Sequence, residues 1–497
     1  MSGALTPEQK RILDAQGDLL VIAGPGTGKS FTLVKKIKSL LEKDVPEEKI
    51  YVLSYSVKVS QELKERLSSQ GLNLIKVDTF HGLAYDLWRE KFGSPPKILS
   101  EKERASLVKK FFGKKSKKLS EEDRLRFFEF LKKQGVMDFD LLLYEVARFE
   151  NLNFKDHYII IDEFQDLSPD ILNFLKLFKN SNFILFGDPN QSIYSFKGVS
   201  LEVLYEFLKN FKPDLKILSL SYSFRCPQLV LKYAEKFKAS PWEVPKFGGQ
   251  DKKAVVQGFL FEDSSQEKDF LIRFVKSLIG GLQLEEQRAG DQVSPDEVFV
   301  LARIKQVLLP VQEAFQKAGI PVNPAEQEAS VILEKIKLFA EKLNTSSITV
   351  EDLIASSDPE LRMFLENLWE LSSEDREKFS AYLSTGSVYD FLNIKKHGVN
   401  FLSIHASKGL EAKHVILVGV EDGLIPLKIF KDTNLDEEKR LVYVAITRSI
   451  TGFYFSSVKE RQVFNFRLKG LSYFFKDFPL KSFKKRPRKP KQRGLFG

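Results

Sequence analysis

The sequence predicts an α/β fold, in which parallel sheets carry a phosphate-binding loop and are interrupted by helical insertions. Short apolar, β-branched runs recur along the 497 residues, and helical patterns separate several of them. A glycine-rich turn directly follows one such run and opens a helical pattern. Residues 92–151 and about 346–396 instead show charged, amphipathic helical patterns without strong strands, so both are predicted to be helical insertions.

The predicted strands share a continuous apolar character, which is typical of strands that are buried on both faces of a parallel sheet. They are DLLVI, KIYVLSYS, HYIIIDEF, NFILFGD, EVFVLAR, VNFLSIH and HVILVGV. A chain of this length is too long for one hydrophobic core, so two to four domains are expected.

The composition excludes several classes of protein. No apolar run approaches the ~18 residues that span a bilayer, and the first residues, MSGALTPEQK, lack the apolar centre of a signal peptide, so a cytoplasmic protein is expected. The single cysteine, Cys226, excludes an internal disulfide, and five histidines make a structural zinc site a poor interpretation. Magnesium bound by oxygen ligands is the expected metal.

The net charge of +10 is concentrated at one end of the sequence. Eight positive charges lie there without an acidic residue among them: Lys481, Lys484, Lys485, Arg486, Arg488, Lys489, Lys491 and Arg493. The rest of the chain is nearly balanced, so a nucleic-acid groove would have to be a local basic stripe. Residues 481–497 are expected to be a basic, disordered tail.

The glycine-rich turn is AGPGTGKS, which predicts a phosphate loop. Backbone N–H groups would surround the phosphates, and the following helix would point its positive end at them. Lys29 would meet the β- and γ-phosphates, and Ser30 the magnesium ion. The nucleotide-binding residues of the loop are Ala23, Gly24, Pro25, Gly26, Thr27, Gly28, Lys29 and Ser30. Ala23 stands where the strict pattern has glycine; the alternative is a turn that binds nothing.

A second nucleotide element is YIIIDEFQD, an apolar strand that ends in two acids. Asp162 is placed to hold magnesium, and Glu163 to orient and deprotonate the attacking water. The alternative is an acidic surface turn, but four apolar residues before Asp162 favour a buried strand that opens towards the loop.

Taken together, the motifs resemble the superfamily 1A helicases of the UvrD/Rep/PcrA type, in order over nearly the whole chain. LTPEQ resembles the family's adenine-reading motif, with Gln9 as the reader, and GDPNQSIYSFKG its coupling motif. SYSFRCPQLV, SIHASKGLE and EEKRLVYVAITRS resemble its later motifs. The resemblance implies two RecA-like P-loop NTPase domains, 1A and 2A, with helical insertions 1B and 2B.

The resemblance also implies a set of hydrolytic residues. Arg225 and Arg448 match the two arginines that stabilise the transferring phosphate, and Gln191 matches the γ-phosphate sensor. Phe224 matches an aromatic residue that stacks on adenine, and Glu411 a residue near the ribose. The implied cofactors are ATP and Mg²⁺.

The predicted single-strand contacts come from four elements. SYSVK contributes Tyr55 and Lys58, TFHGLA contributes Thr79, Phe80 and His81, the coupling motif contributes Tyr194 and Phe196, and SIHASKGLE contributes His405. Phe196 is the main candidate for stacking on a base. The alternatives are core packing for the aromatic residues and satisfied core positions for the two histidines.

The chain departs from the family pattern at several points. Phe31 replaces an arginine beside the base, Lys197 replaces the arginine of the coupling motif, and Ser403 replaces threonine. The segment available for 2B is only about 50 residues, which predicts a reduced 2B. The predicted domains are 1A (1–91 and 152–218), 1B (92–151), 2A (219–345 and 397–480), reduced 2B (346–396) and the tail (481–497).

The leading functional hypothesis is an ATP-dependent translocase and helicase that moves 3′→5′ on single-stranded DNA and acts in DNA repair or replication, with polarity implied by resemblance. An ATPase that strips proteins from DNA is the second hypothesis, and a nucleotide-gated scaffold is the third. Single strands and their junctions with duplex are the expected partners. Gln492, Leu495 and Phe496 also resemble a sliding-clamp peptide, although an incidental tail sequence explains them equally well.

Overall fold

The structure is a computed structural model that describes residues 5–113, 120–280, 293–323, 325–345, 348–385, 398–429 and 433–483. Of the predicted basic tail, only residues 481–483 fall in these ranges. The predicted clamp-binding residues Gln492, Leu495 and Phe496 lie outside the described residues, as do the other seven basic residues of the tail.

The chain divides into two compact units, each with its own parallel sheet, which confirms the predicted fold class. The first unit comprises Met1–Phe224, Ser240–Gly248 and Glu326–Leu392. The second comprises Arg225–Ala239, Gly249–Ala325 and Asn393–Gly497.

The sheet of the first unit has six strands, in the order β3-β2-β4-β5-β1-β6, and all of its pairings are parallel. The strands are β1 (Leu19–Ala23), β2 (Ile50–Ser54), β3 (Lys76–Thr79), β4 (Tyr158–Asp162), β5 (Asn182–Gly187) and β6 (Lys216–Leu220). Since β5 lies between β4 and β1, the segments that follow these three strands meet at one edge of the sheet, where α/β proteins bind ligands.

Helices cover this sheet on both faces, which is why its central strands are apolar throughout. Outside the insertions they are α1 (Pro7–Asp14), α2 (Lys29–Leu41), α3 (Val57–Ser68), α4 (Phe80–Phe92), α8 (Pro169–Leu175) and α9 (Leu201–Phe211). The first insertion supplies α5 (Glu101–Phe112), α6 (Glu121–Lys133) and α7 (Phe139–Val146), as the sequence pattern predicted. A small core that includes Phe127, Phe128 and Leu131 holds this insertion together.

The second insertion is also helical, but it begins earlier than predicted and belongs to the first unit. Its helices are α13 (Ala325–Thr345), α14 (Val350–Ala355), α15 (Pro359–Leu371) and α16 (Arg376–Thr385). The predicted boundary at residue 346 therefore falls after a helix that already belongs to the insertion. Residues 219–224 likewise group with the first unit, because Phe224 donates a backbone hydrogen bond to Gly26, 2.9 Å away.

The second unit contains a seven-stranded parallel sheet, in the order β11-β12-β10-β13-β14-β9-β17. Its strands are β9 (Val255–Phe261), β10 (Val298–Ala302), β11 (Val322–Asn323), β12 (Val399–Ser403), β13 (Ala412–Val418), β14 (Ser449–Val458) and β17 (Leu480–Ser482). Its helices are α10 (Gln228–Ala234), α11 (Ser264–Ile279), α12 (Lys305–Lys317) and α17 (Leu435–Thr447). An antiparallel hairpin of β15 (Glu460–Val463) and β16 (Phe466–Lys469) follows the central strands.

One further pair of strands, β7 (Tyr222–Pro227) and β8 (Gly248–Gln250), forms a two-stranded sheet at the points where the chain leaves the first unit. None of the helices in the described ranges is long and apolar enough to cross a membrane. In the same part of the chain, no group of three or more His, Cys, Asp and Glu side chains is arranged to hold a metal ion.

Candidate active site

The phosphate loop lies between the buried strand β1 and helix α2, as the sequence predicts. Gly26 and Gly28 have φ angles of 70° and 80°, the left-handed region that glycine enters most readily. Gly28 is the N-cap of α2 and has no side chain to cap the helix, so the first N–H groups of α2 can donate to an anion. At Gly24, an added Cβ would lie 2.6 Å from the ring of Phe247, which leaves room for glycine only.

Three charged side chains meet at the end of this loop. The ammonium group of Lys29 lies 3.3 Å from the carboxylate of Asp162 and is hydrogen-bonded to Glu163. Burial alone would lower the pKa of Lys29, but the two carboxylates outweigh it and raise the pKa above its ordinary value. Burial also raises the pKa of Asp162, more than Lys29 lowers it. The site thus assembles a fixed cation and two carboxylates where β1 and β4 end.

Glu163 is held in an uncommon backbone conformation, with φ of 56° and ψ of 47°. For a residue other than glycine, this conformation costs about 1–3 kcal/mol and is concentrated at functional sites. The backbone N–H of Glu163 donates to Asp162 over 2.9 Å, so the turn that positions one acid also engages the other.

Gln165 connects Glu163 to the coupling motif, a role that the sequence analysis did not assign. Its amide donates to the Glu163 carboxylate, and its carbonyl oxygen accepts a 3.1 Å hydrogen bond from the backbone N–H of Asp188. The side chain is fully buried, and a Cβ at Gly187 would overlap it. Asp188 in turn accepts a 3.0 Å hydrogen bond from the Gln191 side chain. The sequence signal for this link is the glutamine that closely follows the two acids of DEFQD.

The predicted adenine-binding residues also lie together in the first unit. Gln9 donates to the Thr32 hydroxyl over 3.3 Å, and a Cβ at Gly28 would lie 3.5 Å from Gln9 and 3.9 Å from the Phe224 ring. Phe224 is 44% exposed, as a ring that stacks on a base requires. The segment that carries it is anchored by Glu8, which accepts hydrogen bonds of 2.8 and 2.6 Å from the backbone and hydroxyl of Ser221.

The remaining predicted nucleotide residues lie in the second unit. Arg225 and Glu411 form an ion pair with each other. Arg448 is buried, 2% exposed, and its guanidinium donates to the carbonyl oxygens of Val444 and Leu410 over 3.1 and 3.0 Å. A rigid guanidinium held by backbone groups is a fixed positive charge.

The predicted strand contacts of the first unit differ in exposure. Phe196 is 65% exposed, and its ring meets Tyr194 edge to face, with centroids 5.9 Å apart. Tyr55 and Lys58 are half-buried, at the start of α3. Phe80 and Thr79, by contrast, are 1% and 3% exposed, so these two side chains support the turn from within instead of reaching towards DNA as predicted.

The two predicted histidines are half-buried and electrically neutral at neutral pH. Burial lowers the pKa of His81 to about 4, although Asp138 raises it. Burial, Arg303 and Lys408 lower the pKa of His405 to about 3. The ring of His81 also packs edge to face on Phe139, with centroids 5.1 Å apart. Any contact that they make with a strand therefore uses hydrogen bonds or stacking by a neutral ring.

These histidines, together with His414 in the second unit, predict loss of stability in acid. Burial lowers the pKa of His414 to about 4, so between pH 6.5 and 4 the unfolded chain binds more protons than the folded chain. The free energy of unfolding therefore falls as the pH drops below 6.5. Urea unfolding curves recorded at pH 7 and pH 5 give the free energy of unfolding at each pH. The quantity to compare is the free energy of unfolding at pH 7 minus that at pH 5. His414→Gln should reduce this difference by up to about 2 kcal/mol, and an unchanged difference would contradict the role given to His414.

Comparison with known sequences supports the same family as the motifs. The family model described as an AAA domain matches residues 9–197, and the model described as a UvrD-like helicase C-terminal domain matches residues 335–460. The chain is also similar to the ATP-dependent DNA helicase Rep of Buchnera aphidicola, with 22% identity over 91% of each chain. These matches support a superfamily 1A helicase of the UvrD/Rep/PcrA type.

Two further relatives show the same level of similarity. The ATP-dependent DNA helicase PcrA of Staphylococcus epidermidis is 23% identical over 95% of this chain and 86% of its own length. The putative ATP-dependent DNA helicase YjcD of Bacillus subtilis is 24% identical over 93% of this chain and 79% of its own. The AAA match ends at Lys197 and so covers the phosphate loop, DEFQD and all but the last residue of the coupling motif.

Proposed function

We propose that this protein is an ATP-driven motor that translocates 3′→5′ along single-stranded DNA and separates duplex as a helicase. One observation carries the proposal. Gln165, Asp188 and Gln191 connect the catalytic carboxylate Glu163 to a segment whose other end is the exposed ring of Phe196. A change at the phosphate site thus has a direct route to a side chain that can stack on a base.

In the proposed reaction, Lys29 and the N–H groups of the phosphate loop bind the β- and γ-phosphates, and Glu163 orients and deprotonates the attacking water. The residues present fit a magnesium ion, since Asp162 is a buried carboxylate beside the loop and Ser30 offers a hydroxyl in the first turn of α2. The ion would neutralise phosphate charge. Gln191 would sense the γ-phosphate, and Arg225 and Arg448 would supply positive charge in the transition state.

On the DNA side, Phe196 is proposed to stack on a base, with Tyr194 beside it. Contacts with the strand are also proposed for His81 at the start of α4, for Tyr55 and Lys58 near the start of α3, and for His405 in the second unit. Thr79, which is 3% exposed, positions the turn that carries His81. Neutral and aromatic groups predominate in this set, which favours stacking and hydrogen bonding over recognition by charge alone.

A protein-stripping ATPase with little unwinding is the second candidate, and the small second insertion favours it. The alignment with Rep of Buchnera aphidicola spans 612 positions, more than the 497 residues of this chain, so the relative contains residues without a counterpart here. This supports a reduced 2B and, with it, a motor that has less surface for duplex.

Measurement of ATP turnover with and without single-stranded DNA tests the proposal, followed by strand displacement from duplexes with 3′ or 5′ tails. Stimulated turnover with displacement from the 3′-tailed duplex is the expected result. Turnover that ignores DNA would contradict the motor assignment and favour a nucleotide-gated scaffold. Removal of a bound protein without duplex separation would favour the second candidate.

Phe196→Ala is expected to uncouple ATP turnover from movement. Loss of a stacking ring costs roughly 1–3 kcal/mol of strand binding, while Lys29, Asp162 and Glu163 keep their geometry. Turnover without DNA should persist, and strand displacement should fall at least tenfold. Phe466→Ala is a matched control, because this ring is 44% exposed on the β15–β16 hairpin. Equal losses of turnover and displacement, with a lowered melting temperature, would instead indicate a packing role for Phe196.

A further inference from the structure

The second insertion packs against helices α3 and α4 of the first unit, although about 300 residues separate them in sequence. At the edge of this contact, Lys64 on α3 forms a 3.2 Å ion pair with Glu370, and Glu65 accepts a 3.1 Å hydrogen bond from Asn367. Arg89 on α4 forms an ion pair with Asp375. Each of the two ion pairs has one well-exposed partner, Glu370 at 68% and Arg89 at 54%, and pairs that are open to solvent in this way contribute little.

The centre of the contact is a buried group of charges. Lys378 on α16 is 2% exposed, and its ammonium group lies 2.8 Å from the carboxylates of both Asp78 and Asp86. The Tyr382 hydroxyl, also buried, donates to Asp78. Burial would lower the pKa of Lys378, but the two carboxylates raise it above its ordinary value. The ammonium therefore stays charged and neutralises acids that would otherwise repel each other.

Asp78 lies at the start of the turn that is proposed to contact the strand. The oxygen that accepts from Tyr382 also accepts a 2.7 Å hydrogen bond from the backbone N–H of Thr79. The Thr79 hydroxyl then caps α4 by accepting a 3.0 Å hydrogen bond from Gly82. The conformation of residues 78–82 thus depends on a carboxylate that the insertion holds in place.

Gly82 supports the same conclusion. A Cβ at this position would overlap both the Tyr382 hydroxyl and the Asp78 carboxylate. The glycine of TFHGLA therefore provides the space through which the insertion reaches Asp78. The insertion contacts the predicted strand-binding turn itself, as well as the outer faces of the neighbouring helices.

We propose that Lys378 and Tyr382 are positioning residues for strand binding, which act through Asp78 to fix the turn from Thr79 to Gly82. The second insertion is then part of the strand-binding apparatus of the first unit. This inference rests on the proposed function, because it assumes that the turn that carries His81 contacts the strand. It adds a specific dependence: the affinity for single-stranded DNA requires residues of the insertion that do not touch DNA.

Tyr382→Phe tests the inference, because it removes one hydroxyl and keeps the ring. The oligothymidylate concentration that half-maximally stimulates ATP turnover should rise about threefold to tenfold, the change expected for one lost hydrogen bond. Turnover at saturating oligothymidylate should stay within about twofold of the parent. Lys378→Met should raise the half-maximal concentration further. Lys64→Gln is the matched control, since it removes a pair at the edge of the same contact, and it should leave this concentration unchanged.

Hydrogen exchange of the full-length chain provides a second measurement that does not depend on turnover. In Tyr382→Phe, the amides of residues 79–82 should exchange faster than in the parent, while the control matches the parent. This comparison remains decisive even if Lys378→Met does not fold.

The two possible failures give different results. If the parent shows no stimulation by oligothymidylate, the proposed function fails. If the parent is stimulated, but Tyr382→Phe keeps the parent's half-maximal concentration and exchange rates, the insertion is only a structural anchor and the inference is overturned. A fall in maximal turnover without a change in half-maximal concentration would overturn it as well.

Discussion

Glu163→Gln should reduce ATP turnover by at least about a hundredfold, while ATP and single-stranded DNA still bind. The substitution keeps the size of the side chain but removes the base, and general-base catalysis commonly contributes 10²–10⁴-fold. The pair with Lys29 is weakened, so a melting curve is the necessary check of the fold. Steady-state turnover, together with equilibrium binding of a fluorescent ATP analogue, separates chemistry from binding.

Lys29→Ala should abolish turnover for a related reason, because it removes the phosphate-binding charge and leaves Asp162 and Glu163 without their shared cation. Lys38→Ala is a suitable control, since Lys38 lies in the last turn of the same helix, far from the phosphate loop in sequence. DNA-stimulated hydrolysis at parental rates in either active-site variant would refute the assignment of this site.

Arg225→Ala and Arg448→Ala should each lower turnover on the order of 10³-fold while nucleotide binding is largely retained. Arginines that act on a transferring phosphoryl group work mainly in the transition state, which is why the loss appears in the rate and not in affinity. Single-turnover hydrolysis at saturating ATP measures it directly. Arg448→Lys keeps the charge but not the fork of donors, so it should recover only part of the loss.

Two further variants separate catalysis from structure. Arg467→Ala removes an exposed arginine of the second unit that pairs with Glu460, and it should leave turnover unchanged. Glu411→Gln weakens the Arg225–Glu411 pair without removing the arginine. If Glu411→Gln costs as much as Arg225→Ala, the arginine acts through that pair. If Arg448→Ala keeps near-parental turnover, its buried hydrogen bonds serve only the fold.

The elements that follow from local pattern could be predicted from the sequence. The phosphate loop, the strand before DEFQD and the two helical insertions each carry a signal within a few tens of residues, and the structure contains all of them. The sequence pattern does not predict strands β9 and β14 of the second unit. Both carry glycine, phenylalanine and polar residues, which weaken a purely aliphatic pattern. Their burial is set by the sheet around them.

What could not be predicted depends on partners distant in sequence. Nothing near Lys378 indicates that its counter-charges are Asp78 and Asp86, so the insertion's place in the first unit was invisible to a periodicity argument. Exposure is similarly non-local: Phe80 and Phe196 both lie in motifs that are predicted to contact the strand, yet the first is 1% exposed and the second 65%. Gln165 is a third case, because its role depends on the approach of Gly187 and Asp188.

The ion cluster around Lys378 also bears on how the protein is made. Asp78 leaves the ribosome 300 residues before Lys378, and at roughly 5–20 residues per second that interval lasts on the order of 15–60 s. The DEFQD strand and the remaining strands of the first sheet, up to Leu220, are made within this interval. Throughout it, the face of α3 and α4 is uncovered and Asp78 lacks the counter-charge of Lys378. The contact of α16 with α3 and α4 joins segments that are distant in sequence, so it forms late and slowly. Biosynthesis therefore leaves this face of the first unit uncovered for longer than completion of the sheet alone would require.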